Sequence, residues 1–418
     1  MESAQSSRRD WRTILTLGFS ALGMVYFLIQ ALVLGGLWLS SLLTNSFDSA
    51  QNISYGLVLW SSLLSGFLLF PLFLLSLLQL QQKPVPAWLD PQNAAIRNWV
   101  MGLVSIWPLL VFLGWWVAGR PAVAAFLLGP INLLAAGLPV LWAFTAGHRK
   151  LEGGKPIRHW RILGFSLTVT PPIIIFVELL AVTFISVIIG FLLIYSISFD
   201  SQIKAVLNDL AYQIQAAGED IELIRQLLEP YISQPAVIFW ALVIFGGVVP
   251  VVEELIKPIA MWGLVTRDIS PLEGFVGGLV CGAGFALTEN ILYLSMASTA
   301  QDWLILTVGR AGTGVMHMLA SGLMGWGLAR AWRDGAWGFL GLTSFAAFIL
   351  HGLWNTLALV AGIGPLFLGG SERNFWQTIL FNTPLIILFV LSLAGLMVIN
   401  RYHRKKLEQE SSLSAQNS

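Results

Sequence analysis

Ten apolar runs, each long enough for a helix to cross a hydrocarbon layer about 30 Å thick, occupy most of this chain. They lie at roughly 14–39, 54–81, 99–118, 122–145, 162–196, 235–266, 272–298, 303–329, 336–361 and 376–399. In a bilayer, backbone N–H and C=O groups have no water to bond, so spanning segments must satisfy them internally as helices or closed barrels. Runs of this length select helices. The expected fold is therefore all-α, a polytopic transmembrane bundle of about ten spans. Charged residues make up 11% of the 418 residues, against about 25% in soluble domains. That excludes a soluble enzyme or a disordered chain, and a net charge of +1 gives no field for nucleic acid. The expected partner is the lipid bilayer. A single cysteine, Cys281, excludes a disulfide framework or a zinc site built on cysteine pairs.

Loop charge orients the bundle. With both termini cytoplasmic, 17 of the 23 Lys and Arg fall inside and four outside (Arg120, Lys204, Arg225 and Arg373), while Lys257 and Arg310 lie within spans. This asymmetry is the positive-inside pattern of an integral, multi-pass protein. The first run follows Arg8, Arg9 and Arg12 without a clear cleavage site, so it is expected to be a retained span. Four regions follow: an N-terminal membrane region at 1–200 with five spans and no assigned role, an external loop at 201–234, a five-span core at 235–400, and a disordered cytoplasmic tail at 401–418. The external loop carries two apolar stripes at helical spacing, separated by Gly218, which predicts two amphipathic helices. Trp residues at span ends (Trp11, Trp99, Trp160, Trp303, Trp332, Trp337 and Trp376) are expected at the membrane interfaces. His148, His159 and His403 sit among basic residues and are expected there too.

Ionisable residues inside spans are costly and mark function. Only Glu178 falls in the first five spans; the others cluster in four consecutive spans. These carry Glu253, Glu254 and Lys257, then Glu289 and Asn290, then Arg310 and His317, then His351 and Asn355. Counted from the cytoplasmic ends at 1.5 Å per residue, Glu253, Glu289, His317 and His351 share a layer ~20–25 Å deep. Pro250 and Pro258 bracket the glutamate pair, and each removes a backbone hydrogen bond. Lys257, at i+4 and i+3 from the two glutamates, is positioned to neutralise one and orient the other. Two small-residue ridges, Gly274/Gly278/Gly282/Ala286 and His317/Ser321/Gly325/Ala329, allow close helix approach.

Carboxylates with imidazoles and an amide suit the activation of water, with glutamate as general base and His and Asn as oxyanion donors. The same groups suit Zn²⁺ with an open position for water. A proton-coupled membrane transporter would use a similar Glu/His cluster and a proline-broken helix. A receptor-like scaffold fits the Glu-Glu-Lys cluster least.

At these residues the sequence resembles the PrsW intramembrane proteases. Glu253-Glu254-Leu255-Ile256-Lys257 looks like the family's EExxK motif, and Phe285-Ala286-Leu287-Thr288-Glu289-Asn290 like its FxxxEN motif. His317 after Arg310, and His351-Gly352-Leu353-Trp354-Asn355, look like its later histidine elements. The resemblance covers roughly 235–360. It implies an intramembrane endopeptidase of a bacterial cell membrane, cutting a membrane-protein substrate that in the family is an anti-sigma factor. Catalytic roles are implied for Glu253, Glu254, Glu289, His317, His351 and Asn355, with Lys257 and Asn290 orienting. The metalloprotease description makes Glu289, His317 and His351 candidate zinc ligands. A more distant similarity to CAAX prenyl proteases implies a metal-free alternative, with Glu253 activating water and His351 and Asn355 forming the oxyanion site. Glu289 departs from that second pattern by standing where a histidine is found.

Overall fold

The computed structural model describes residues 11–44, 50–90, 93–151, 153–197, 201–218, 220–232, 234–265, 269–297, 299–367 and 375–416. Arg8, Arg9, Arg267 and Arg373 of the topological count lie outside them. Sixteen α-helices and no strand form among the described residues. In chain order they are α1 (Trp11–Thr44), α2 (Ala50–Leu80), α3 (Ala94–Leu103), α4 (Trp107–Ala118), α5 (Pro121–Gly147), α6 (Pro156–Thr168), α7 (Thr170–Ile197) and α8 (Ser201–Ala217). Then come α9 (Ile221–Ile232), α10 (Pro235–Val243), α11 (Val249–Ile256), α12 (Ile259–Trp262), α13 (Pro271–Ser295), α14 (Ala300–Asp334), α15 (Trp337–Phe367) and α16 (Phe375–Gln416). Nine helical stretches among the described residues are long and apolar enough to cross a membrane. The protein is a multi-pass helical membrane protein.

The nine account for all but one of the ten expected spans. The exception, 303–329, lies in α14, an unbroken helix of 35 residues. It carries Arg310, Arg330 and Arg333 and many glycines, and most of its middle is buried. A helix enclosed by protein needs little lipid-facing apolar surface, so its composition falls short of a lipid-exposed span.

The helices group into two compact units that cut across the expected division at residue 200. The first comprises Met1–Pro172, Ile256–Ala347 and Phe389–Ser418. The second comprises Ile173–Leu255 and Phe348–Leu388. Within the first unit, α5 and α6 of the N-terminal spans pack on α13.

Capping chemistry sets the ends of the two central helices of the first unit. Ser270 and Thr299 each accept from the N–H three residues on, and Glu273 and Asp302 reach back to the cap N–H. These are reciprocal capping boxes. Gly335, at φ 67°, closes α14 in the left-handed region. Between the caps the predicted ridges meet. A Cβ on Gly278 would overlap the Ser321 carbonyl, one on Gly282 the His317 carbonyl, and one on Gly274 the side chain of Ala329. Gly278→Leu is thus expected to lower stability by at least about 1–3 kcal/mol. A lower melting temperature in detergent is the readout, and a melt equal to that of the parent would refute the close packing.

Three expectations from the sequence change. Trp303 is fully buried in protein rather than facing outward, and its Nε1 donates to Asn132 Oδ1 at 2.6 Å. By contrast Trp11, Trp99, Trp337 and Trp376 are exposed. The tail is helical through Gln416 rather than disordered, its surface marked by Arg404–Glu408 and Lys406–Glu410 pairs at i,i+4. Asn400 ties its start to the carbonyls of Gly147 and Arg149. The histidines among basic residues are buried too: His403 packs on Phe275 and Trp326, and His148 stacks on Phe144. Burial, with His159 beside it, pushes the His148 pKa down to about 4 and keeps its ring neutral at pH 7. In the second unit, α8 and α9 flank Gly218 at φ 58°, where the sequence places the break between two amphipathic helices.

Candidate active site

The second unit carries the glutamate pair. Its sequence Ile244-Phe245-Gly246-Gly247-Val248 forms a wide π-turn between α10 and α11. Two glycines and the following Pro250 favour such a turn, since proline cannot continue the ordinary ladder. Gly246 meets Gly352 of α15 closely: a Cβ on Gly352 would overlap the Gly246 carbonyl. This approach brings His351 to the glutamates. His351 Nδ1 lies 2.9 Å from Glu254 Oε1, and His351 Nε2 faces Glu253 Oε2 at 3.8 Å. All three are buried, with Glu254 fully so and Glu253 5% exposed. Each offers one ligand atom within 4.8 Å of the others.

With Glu254 ionised, and so able only to accept, His351 carries its proton on Nδ1 and presents a lone pair on Nε2. That tautomer suits His351 as a proton acceptor or metal ligand. Asn355, one turn further along α15, donates from Nδ2 to the Phe245 carbonyl at 3.1 Å.

The first unit carries a second polar chain. α11 ends at Ile256, and the Lys257–Pro258 turn follows, so the helical spacing from the glutamates to Lys257 ends here. The Lys257 amine is fully buried, 2.8 Å from His317 Nδ1 and 4.2 Å above the Phe285 ring. With Lys257 as an ammonium, Nδ1 accepts and His317 Nε2 donates to Glu289 Oε2, 2.7 Å away. The same Glu289 oxygen pairs with Arg310. Arg310 also donates to Asn290 Oδ1 at 2.9 Å and lies over Tyr293, and Asn290 bonds back to the Arg310 carbonyl. Of the candidate metal ligands in this unit, Glu289 is bonded to Arg310 and His317, while His317, with Lys257 on Nδ1 and Glu289 on Nε2, is among the residues that could hold a metal ion. A ring with both nitrogens bonded must break one bond to ligate.

Within the second unit Glu253, Glu254 and His351 lie together, and within the first Lys257, Glu289, Asn290, Arg310 and His317 are linked. Two residues in contact with Glu289 and Lys257 carry more than the sequence suggested. Arg310 is seven residues before His317, two turns along the same face. Phe285 is one turn before Glu289 and shields the Lys257 amine.

The sequence profile of the PrsW family of intramembrane metalloproteases matches residues 178–392, just over half of the chain. The chain belongs to the PrsW family. The match contains both clusters and extends beyond the 235–360 region of motif resemblance. PrsW membership makes this protein an intramembrane protease and sets aside the transporter reading. Neither a curated protein nor a solved structure matches.

Proposed function

We propose that this PrsW-family protease hydrolyses a peptide bond of a membrane-protein substrate at Glu253, Glu254 and His351. The observation that carries the reading is the pair of distances around His351. Its Nδ1 is held by Glu254 at 2.9 Å while its Nε2 faces Glu253 across 3.8 Å. That gap exceeds a hydrogen bond. It lies within the span of two ligands on one divalent metal, each bond being about 2.0–2.2 Å.

Glu253 is the general base. It takes a proton from water as the water oxygen bonds to the scissile carbonyl carbon. The proton then passes to the leaving nitrogen as the C–N bond breaks, which restores the carboxylate. Glu254 fixes the ring orientation and tautomer of His351 from behind, as carboxylates behind ligating histidines do. Glu253 and His351 offer one carboxylate and one imidazole to a divalent ion such as zinc, with Glu254 behind the histidine. A metal held by His351 Nε2 and Glu253 Oε2 would polarise the carbonyl and acidify water, leaving Glu253 Oε1 for the base role. By the family resemblance, the substrate is an anti-sigma-factor-like membrane protein and the membrane that of a bacterial cell; the loop charges put both termini in the cytoplasm.

Elemental analysis of the purified full chain tests the metal, with His351→Ala alongside. About one divalent ion per chain, lost in the variant, is expected for one site of this donor set. Equal trace metal in both proteins would remove the metal and leave Glu253 acting alone. Glu254→Gln is expected to slow cleavage by about 10–100-fold through loss of His351 orientation. Cleavage at the parental rate would remove that role.

A further inference from the structure

The π-turn before the glutamates has a backbone deficit that the sequence creates and a side chain fills. In this turn the N–H of Val249 reaches back five residues to the Ile244 carbonyl. The next bond in that register would run from residue 250 to the carbonyl of Phe245. Residue 250 is proline and has no N–H to give. Asn355 Nδ2 takes its place, donating to the Phe245 carbonyl at 3.1 Å. On the same face of α15, Gly352 and Thr356 press against Gly246, whose Cβ position Thr356 Oγ1 would overlap.

We propose that Asn355 is a positioning residue that replaces the missing Pro250 N–H and thereby holds the start of α11, with Glu253 and Glu254, against His351. The role is distinct from the oxyanion donation implied by motif similarity, and it rests on the hydrolytic reading of Glu253 given above. A proline-broken helix in a membrane persists only where another group satisfies the freed carbonyl. Here that group comes from the helix that also carries His351, so one hydrogen bond couples the break to the site. Pro250 is three residues before Glu253, less than one turn. A shift of the break therefore moves both carboxylates.

The decisive test is a rescue. Asn355→Ala in the full-length protein is expected to lower kcat for a membrane-protein reporter by about 10²-fold with little change in KM, as misplacement of a catalytic group does. Adding Pro250→Ala returns an N–H to the turn and is expected to recover most of that loss, to within about threefold, because the two positions serve one bond. An oxyanion donor would not be rescued in this way. Amide hydrogen exchange gives a readout independent of activity: Asn355→Ala is expected to exchange faster across 244–252. The proposal is overturned if Pro250→Ala alone is active yet the double variant stays as slow as Asn355→Ala. If Pro250→Ala alone is inactive, exchange decides: faster exchange in Asn355→Ala supports the proposal, and unchanged exchange overturns it. Glu253→Gln is run in parallel. Cleavage by that variant would remove the hydrolytic assignment, while the exchange result would still judge Asn355.

Discussion

Glu253→Gln is expected to reduce cleavage of a membrane-protein reporter by about 10²–10⁴-fold, the contribution of a positioned general base. The loss corresponds to about 3–5 kcal/mol of barrier. Glutamine keeps the shape of glutamate but has no carboxylate to accept a proton. The side chain is 5% exposed, so the replacement disturbs little surface, and its Oε2 faces His351 Nε2 across 3.8 Å. The measurement is the cleavage rate in proteoliposomes beside a thermal melt of the same preparation. A slow enzyme that melts like the parent is the expected pair of results. A variant that cleaves at the parental rate would show that water is activated elsewhere.

Arg310→Leu carries the largest expected effect on folding. Arg310 pairs with Glu289, and the two side chains are 13% and 16% exposed. Removing the cation leaves the Glu289 carboxylate with only the His317 N–H, and breaking a buried pair in this way costs about 3–5 kcal/mol. The Asn290 amide oxygen loses its donor in the same step. Adding Glu289→Leu to Arg310→Leu is expected to recover much of the stability, because no unpaired charge is then buried. Melting temperatures of the two singles and the double in one detergent check this. Additive losses would show that the two residues are not coupled.

Much of this was legible in the sequence, and the reasons are specific. Long apolar runs force helices in a bilayer whatever their neighbours, so their number and order could be read directly. The small ridges were legible because i+4 spacing places residues on one helix face, and Gly278 and Gly282 do meet the backbone of α14. The Pro250 break was legible from the missing N–H. The helical tail was harder to read, because its polar composition suits a solvated chain as well as a helix. What holds its start is the packing of His403 and the bonds from Asn400, both contacts with residues far away in sequence.

Partner choice within the polar set could not be read. Spacing along one helix says which side chains share a face, but not which residue of another helix they meet. Nothing in Glu253-Glu254 says that the second glutamate takes the His351 Nδ1 proton and the first faces Nε2. The same limit hid Lys257, whose sequence neighbours are glutamates but whose amine lies on His317. The sequence by itself determined the helical membrane class, the protease motifs and the residues able to carry charge inside the spans. These follow from solvation: the bilayer penalises unbonded backbone and unpaired charge wherever they fall in the chain. The tertiary structure alone decided that His317 is engaged at both nitrogens, that Glu289 answers Arg310, and that Asn355 serves a backbone carbonyl. A hydrogen bond acts only over about 3 Å, so its partner is fixed by how helices far apart in sequence pack.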